Sequence, residues 1–396
     1  IDHGSNGDPE GTFAPEEQFD AMYDVSDASS IDSLITAWAK NGGEKYSSKN
    51  VINVLLIGVD DAESNTGRSD ALILLSLNKR TKKITLVSFL RDSYTYMNIP
   101  DAARNPERCC KLNHSYRWGG YPVLIETLEN DYKIEIDHYI SVDFKSFPKL
   151  IDALGGVTLK IEPYEAEYIN RTTTQIDKIQ SGDAVKLNGA QALVYTRIRH
   201  VDAAGDLGRT ARQRTIITAL IKSAQGASMG QLNNAMDIVL PNVHTNYGKG
   251  EIISLLTQAF AQKWMNYDIA QMVMPSEGNY VAAKLYTYYG RVARMQLDTW
   301  VIDYPVAARE LQLALYGKTN INIGSDHVSA IDLYNQGLVP TLGGSTASGT
   351  RAQSSHTAPA QTSGVETQPT EAPAAHDTTS PAAEPTTAAE PEEAND

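Results

Sequence analysis

The sequence predicts an α/β protein, a three-layer α-β-α sandwich around a central mixed sheet. Three observations carry that prediction. VINVLLIGV (51–59) is a continuous apolar run of strand length, and continuous apolarity means burial on both faces. ALILLSL (71–77) and ITLVSF (84–89) follow it, separated by polar NKRTKK, which reads as a β-hairpin and makes the sheet mixed. Beyond them, strand-like and helix-like segments alternate, the pattern of a layered α/β domain.

The elements follow in chain order. Residues 1–30 are polar and acidic with little periodicity, and 1–50 is taken as an arm or linker. Within it, Ile31, Leu34, Ile35 and Trp38 fall at the spacing of a short amphipathic helix. TLENDYKIEIDHYISVD (127–143) reads as the end of a helix, then a strand at about 136–142. Residues 144–154 fit a helix stopped by Gly155 and Gly156, and VTLKI (157–161) is a further strand. Helices are expected at 188–195, 209–224, 251–260 and 306–317; in the second, Ile216, Ile217, Leu220 and Ile221 make one apolar face. The main domain is therefore 51–320, with 321–340 a transition segment. From 341 the chain turns to Thr, Ala, Pro, Ser and Glu without an aromatic residue. It is expected to be a disordered spacer, because it cannot bury enough apolar surface to offset the entropy of ordering it.

Charge narrows the function. The 396 residues carry 48 acids and 34 bases, a net charge of -14. The excess sits at the ends, since residues 51–340 hold thirty of each. That opposes a nucleic-acid partner, which needs clustered positive charge. No apolar run reaches the roughly 18–20 residues that span a bilayer. Because the sequence opens at Ile1, a signal or anchor is expected to have been removed. Cys109 and Cys110 are the two cysteines. Adjacent cysteines give no disulfide framework and no zinc pattern. Two free thiols are the default, and a strained vicinal disulfide is the alternative.

No nucleophile elbow, P-loop or dinucleotide fingerprint is present. His114, His138 and His200 are scattered and read as structural. The informative feature is charge at strand ends. Asp60 and Asp61 follow the first strand, Arg68 and Asp70 precede the second, and Arg91 and Asp92 follow the third. Open α/β sheets bind ligands at such ends, and two neighbouring carboxylates call for a cation such as Mg²⁺. Turn and cap roles for Asp60 and Asp70 are the alternative. A second cluster comprises Arg197 and Arg199, then Arg209, Arg212 and Gln213 on a helix that Gly208 precedes, with Lys111 adding another cation. Arginines bind phosphate oxygens bidentately and a helix N-terminus attracts anions, so the set describes a polyphosphate site. A solvated face is the alternative for Arg197, Arg199, Arg212 and Arg214, and Arg214 is expected to lie on one.

Seven stretches in order resemble the LytR-CpsA-Psr family of cell-envelope phosphotransferases. They are LLIGVD (55–60), RSDALILLSLN (68–78), VSFLRDSYTYM (87–97), KLNHSY (111–116), the run from Asp152 to Val157, LNGAQALVYTRIRH (187–200) and GDLGRTARQR (205–214). The resemblance implies an α-β-α sandwich with an apolar lipid pocket. It implies a membrane-anchored enzyme acting on the extracellular face. Its activity would be transfer of a glycopolymer, of teichoic acid or capsular polysaccharide type, from a polyprenyl-pyrophosphate carrier to peptidoglycan. Carried over by motif, Asp60 and Asp70 would hold Mg²⁺. Arg68, Arg91, Lys111, Arg197, Arg199, Arg209 and Gln213 would bind the pyrophosphate and its sugar end. Arg91 and Asp92 would be catalytic, with Asp92, Asp60 or Asp70 as candidate general base. Phe144, Phe147, Leu150, Ile151 and the apolar face of 209–224 are candidate walls of the lipid pocket, with ordinary core packing the favoured alternative for each. Two departures stand out: Leu90 replaces the proline that commonly precedes the motif arginine, and the cysteine pair stands just before KLN. A polyprenyl-pyrophosphate hydrolase and a non-catalytic carrier-binding scaffold are the competing readings. Transcriptional control is opposed by charge and by the lack of a helix-turn-helix signal.

Overall fold

The computed structural model describes residues 31–60, 67–99, 107–173, 177–199, 205–225, 227–289, 293–325 and 327–337. All belong to one unit, Ile1–Ser354. The expectations for residues 1–30, Asp61, His200 and the tail from 341 lie outside the described residues.

The chain begins with α1 (Ile31–Asn41), then β1 (Val51–Val59), β2 (Ser69–Asn78), β3 (Lys83–Phe89), β4 (Tyr94–Asn98) and β5 (Glu107–Lys111). Next come α2 (Asn113–Tyr132), β6 (His138–Asp143), α3 (Ser146–Ala153), β7 (Val157–Ile161), α4 (Pro163–Thr172), β8 (Gly182–Leu187), α5 (Gly189–Arg197) and α6 (Gly205–Ser223). The remainder is α7 (Met229–Val239), β9 (His244–Thr245), α8 (Lys249–Ala261), β10 (Asp268–Met274), β11 (Tyr280–Tyr289), β12 (Ala293–Ile302), α9 (Tyr304–Tyr316) and α10 (Ala330–Asn335).

The central sheet has six strands in the order β10-β3-β2-β1-β6-β9. The expected hairpin is β2–β3, β1 lies antiparallel to β2 and parallel to β6, and β10 runs parallel to β3. Alternation explains the continuous apolar runs. Leu55, Ile57 and Val59 of β1, Leu72 and Leu74 of β2, and Val87 and Phe89 of β3 enter one core with α1, α2 and α9. Ile73 and Leu77 of β2, with Ile84 and Leu86 of β3, enter the other, against α6 and α8. Each strand thus buries both faces, and the three layers follow. Helix α1, expected within the arm, seats Ile31, Ile35 and Ala39 in the first core.

A third core joins α3, α4, β7, β8, α5 and α6 into a side lobe. VTLKI is β7, but it pairs with β8 in a separate two-stranded sheet, not with the central strands. There Gly156 adopts φ +85, and a Cβ would sit 2.7 Å from the Leu187 carbonyl, so a larger residue is excluded. The helix expected from 209 begins at Gly205. Gly208 therefore lies inside its first turn, and the turn already carries a carboxylate, Asp206. Helix α2 is kinked at Gly120 (φ 65), two residues before Pro122, which hides its length from a periodicity reading.

Candidate active site

The ends of β1, β3 and β6 and the start of β2 share one edge of the central sheet. The charged residues expected there converge. Gly58 pairs with Ala71 but Val59 pairs with Ser69, so Asp70 is the extra residue of a β-bulge. A bulge re-aims its side chain, and here it turns Asp70 onto Arg91, whose Nη1 donates to Asp70 Oδ1. Asp60 follows β1 directly, and its Oδ1 accepts the Arg68 backbone N–H at 2.6 Å. Arg68 is thereby held beside Asp60 at the mouth of the same strand pair.

Arg91 is fixed by its backbone. The Leu90 N–H donates to the Met274 carbonyl at 3.0 Å, and the Arg91 carbonyl accepts the Asn113 N–H at 3.0 Å. Leu90, in the place of the expected proline, is buried and packed, so the loop is held without a proline ring. Asp92 lies between two cations: Lys111 Nζ donates to it at 3.0 Å, and Arg91 Nε stands 3.6 Å from its other oxygen.

Helix α6 supplies the opposite wall. Arg209 Nη2 donates to Asp206 Oδ2 at 2.9 Å, and Arg199 Nε lies 3.7 Å from Asp206 Oδ1. Burial works to lower Arg91, but attraction to Asp70, Asp92 and Asp206 outweighs it and raises the guanidinium. Arg209 is lowered to about 10, by burial first and then by Arg91 and Arg199, against the pull of Asp206. The two arginines therefore feel one another. Among the described residues neither Nε–H has a hydrogen-bond acceptor, Arg91 Nε standing 3.6 Å from Asp92. Unsatisfied buried donors are costly, and a phosphate oxygen is the acceptor that suits a guanidinium.

The other sequence candidates fall as follows. Gln213 lies one turn beyond Arg209 on α6. Arg197 is exposed and stacks over Phe144 at 4.6 Å. Arg212 is not on a solvated face. Its Nε donates to Glu165 at 2.7 Å within the side lobe, and both side chains are 6% exposed. The expectation for Arg214 is overturned outright. It is 3% exposed and donates to Ser88 Oγ at 2.6 Å and Gln271 Oε1 at 3.2 Å, because its position on α6 faces the sheet.

Among the walls expected for a lipid pocket, Phe147 and Ile151 pack in the side-lobe core, while Ile217 and Ile221 of α6 pack against the sheet. Cys109 and Cys110 are free thiols. As neighbours on β5 they point to opposite faces, which a vicinal disulfide could not allow. Burial pushes the Cys109 thiol up. Cys110 Sγ lies 3.0 Å from His114 Nδ1, a pair that four-residue spacing alone did not reveal, and both residues are buried. His138 stacks on Tyr247.

Two participants were missed in the sequence. Asp206 stands three residues before Arg209 in a helical first turn, a signal that an earlier helix start would have exposed. Tyr116 follows KLNHS; burial and its hydrogen bond to Tyr121 push its phenol up, with Asp60 adding to the effect. It stays protonated beside that carboxylate.

A mixed α/β sandwich with paired arginines and carboxylates at one sheet edge sets the class of the fold and its site. The chain belongs to the LytR_cpsA_psr family, whose profile matches residues 20–299. A polyisoprenyl-teichoic acid–peptidoglycan teichoic acid transferase, TagU of Oceanobacillus iheyensis, is 35% identical over 225 residues, covering 55% of this chain and 66% of that protein. TagU of Bacillus anthracis is 32% identical over 252 residues, covering 63% of this chain and 77% of the relative. Among solved structures, protein gbs0355 of Streptococcus agalactiae aligns with a TM-score of 0.58 at 22% identity, over 72% of this chain and 95% of its own. TagT bound to LIIa-WTA aligns with a TM-score of 0.52 at 22% identity, over 69% and 93%. These two likenesses establish the fold.

Proposed function

We propose that the protein transfers a glycopolymer, of teichoic acid or capsular polysaccharide type, from a polyprenyl-pyrophosphate carrier to peptidoglycan. The observation that carries this reading is the convergence of Arg91 and Arg209, each with an unsatisfied buried N–H, beside two carboxylates at the strand edge. The TagU relatives, named for transfer of teichoic acid to peptidoglycan, support the choice of polymer and acceptor.

In the proposed step an acceptor sugar hydroxyl attacks the phosphorus next to the glycopolymer. The new P–O bond forms as the bond to polyprenyl phosphate breaks, and the hydroxyl proton passes to a carboxylate. Arg91 and Arg209 stabilise charge that shifts onto the leaving phosphate, and the loss of one such contact costs about 10²–10³-fold in rate. Arg68, Lys111, Arg197, Arg199 and Gln213 bind the remaining phosphate and sugar oxygens. Asp70 and Asp92, both tied to Arg91, orient it, and Asp60 is then the better base.

Asp60 and Asp70 also suit Mg²⁺, a hard cation that takes one or two carboxylates and completes its shell with water and phosphate. Its chemistry there would be charge neutralisation across the two phosphates. Among the described residues no cluster of three or more ligating side chains exists. The carrier's chain would run in an apolar pocket beside α6, and the protein would work at the extracellular face of the cell membrane, attached through an anchor.

The test is transfer from a short polyprenyl-pyrophosphate glycan to peptidoglycan oligomers in the presence of Mg²⁺. Glycan joined to the oligomers supports the reading. Release of polyprenyl phosphate at the same rate without acceptor would make the protein a hydrolase, and tight carrier binding without release would make it a scaffold.

A further inference from the structure

The opposite edge of the central sheet holds a different arrangement of charge. The β2–β3 turn carries Lys79, Arg80, Lys82 and Lys83. The Asp268 N–H donates to the Lys82 carbonyl at 3.1 Å, which seats the start of β10 and the preceding Lys263 beside that turn. Gln225 Nε2 donates to the Met265 carbonyl at 2.7 Å, bringing the end of α6, and Lys222, to the same edge. Among the described residues none of these six cations is ion-paired within 4.0 Å. Asp268 is the acid that the strand register places directly among them. Next to Lys263, Phe260 is 45% exposed, and one α8 face continues through Leu256 to Ile253, 62% exposed.

We infer that this edge docks on an anionic lipid bilayer. Unpaired cations gain from anionic headgroups, and exposed Phe and Ile gain from the acyl boundary. A soluble polyanion would satisfy the cations and leave Phe260 and Ile253 in water. The apolar layer between α6, α8 and the sheet reaches the same edge through Leu77, Ile84, Trp264 and Tyr267. The choice of bilayer rests on the lipid-carrier reading above. The site then stands about 30 Å above the lipid, the length of a ten-residue strand.

The experiment is co-sedimentation of the full chain with phosphatidylglycerol or phosphatidylcholine vesicles, without donor or acceptor. The chain's net charge of -14 opposes binding, so a positive result reports the patch. Preferential binding to phosphatidylglycerol is expected. Arg80→Glu/Lys82→Glu/Lys263→Glu should weaken it at least about a hundredfold. Phe260→Ser should weaken it about tenfold, with the loss persisting in high salt. Equal binding to both lipids, full binding by the triple variant, or displacement by soluble poly(glycerol phosphate) at equal phosphate would overturn the inference. With a water-soluble short-chain donor, the triple variant should transfer as well as wild type, and it should fail with a vesicle-embedded donor. If neither protein transfers from the soluble donor, the transferase reading fails while the vesicle result stands by itself.

Discussion

Arg209 and Arg212 lie three residues apart on one helix and do opposite things. Arg209 reaches the sheet edge, where it meets Asp206, feels Arg91 and keeps a buried N–H without an acceptor. Arg212 turns into the side lobe and is closed off by Glu165, the Ile198 carbonyl and Tyr164. In the proposed reading the first is a cation for the substrate's phosphates, whereas the second has its partners within the protein. What separates a binding arginine from a structural one is thus the saturation of its donors, not its burial, since both are buried.

That contrast can be broken most directly at Arg212. Arg212→Met keeps the bulk but strands a buried Glu165 carboxylate, which should cost about 3–5 kcal/mol and lower the melting temperature by roughly 6–20 °C. Adding Glu165→Leu should restore most of the loss. A single variant that melts like wild type would end the assignment of Arg212 to structure.

A buried carboxylate elsewhere gives the next effect. Asp131 lies wholly inside the first core, takes a 2.6 Å hydrogen bond from Thr95, and is pushed up to about 8 by burial. Its folded value lies above its unfolded one, so its neutral form favours folding at low pH and that contribution disappears as pH rises toward 8. Lys133, lowered to about 8 by burial, carries a constant penalty below that pH and relief only above it. Between pH 4 and 8, wild type should therefore lose roughly 2–4 kcal/mol that Asp131→Asn does not lose. Denaturant midpoints measured across that range, with parallel slopes for the two proteins, would contradict the assignment.

At the site the expected change is smaller in energy and confined to activity. Arg91→Lys cannot reproduce the guanidinium fork and should lower turnover at least about tenfold, or roughly 1.4 kcal/mol, with the melting temperature unchanged. Lys160→Gln, which loses one exposed pair with Glu162, is the control. The smallest effect is expected at Arg214. Arg214→Met removes a buried cation whose partners are neutral, so the lost hydrogen bonds and the relieved desolvation should cancel to within about 1 kcal/mol. Thermal unfolding checks this; a drop as large as that of Arg212→Met would show that Arg214 has a charged partner's worth of stabilisation.

The legible parts of the fold were those with long, uninterrupted patterns. The hairpin and helices α3, α5, α6, α8 and α9 stood out in the sequence, α6 through the apolar face of its second half. Helix α2 was read only at its end, since Gly119, Gly120 and Pro122 interrupt it. The β4–β5 and β11–β12 ribbons escaped notice because their strands pair outside the main sheet, where half-polar sequences suffice. The strand-end charges could be named from sequence but not sorted. Nothing in GRTARQR tells which arginine faces Asp206, which faces Glu165 and which faces Ser88; that depends on α6 being enclosed on three sides. The bulge at Asp70 was equally hidden, because one extra residue in a strand leaves no mark until the partner strand is known.

The closing of the first core has a bearing on how the chain acquires its shape. Asn53 of β1 donates to the Tyr316 hydroxyl across 263 residues, and Asn78 of β2 donates to the Leu315 carbonyl across 237. Strands made early in synthesis thus wait for the last long helix, and such sequence-distant contacts slow folding. Until α9 emerges, Leu55, Leu74 and Val87 have only part of their cover. The family profile ends at residue 299, five positions before α9 begins. A chain trimmed to that match would keep every charged group of the site and still expose the face on which the sheet closes.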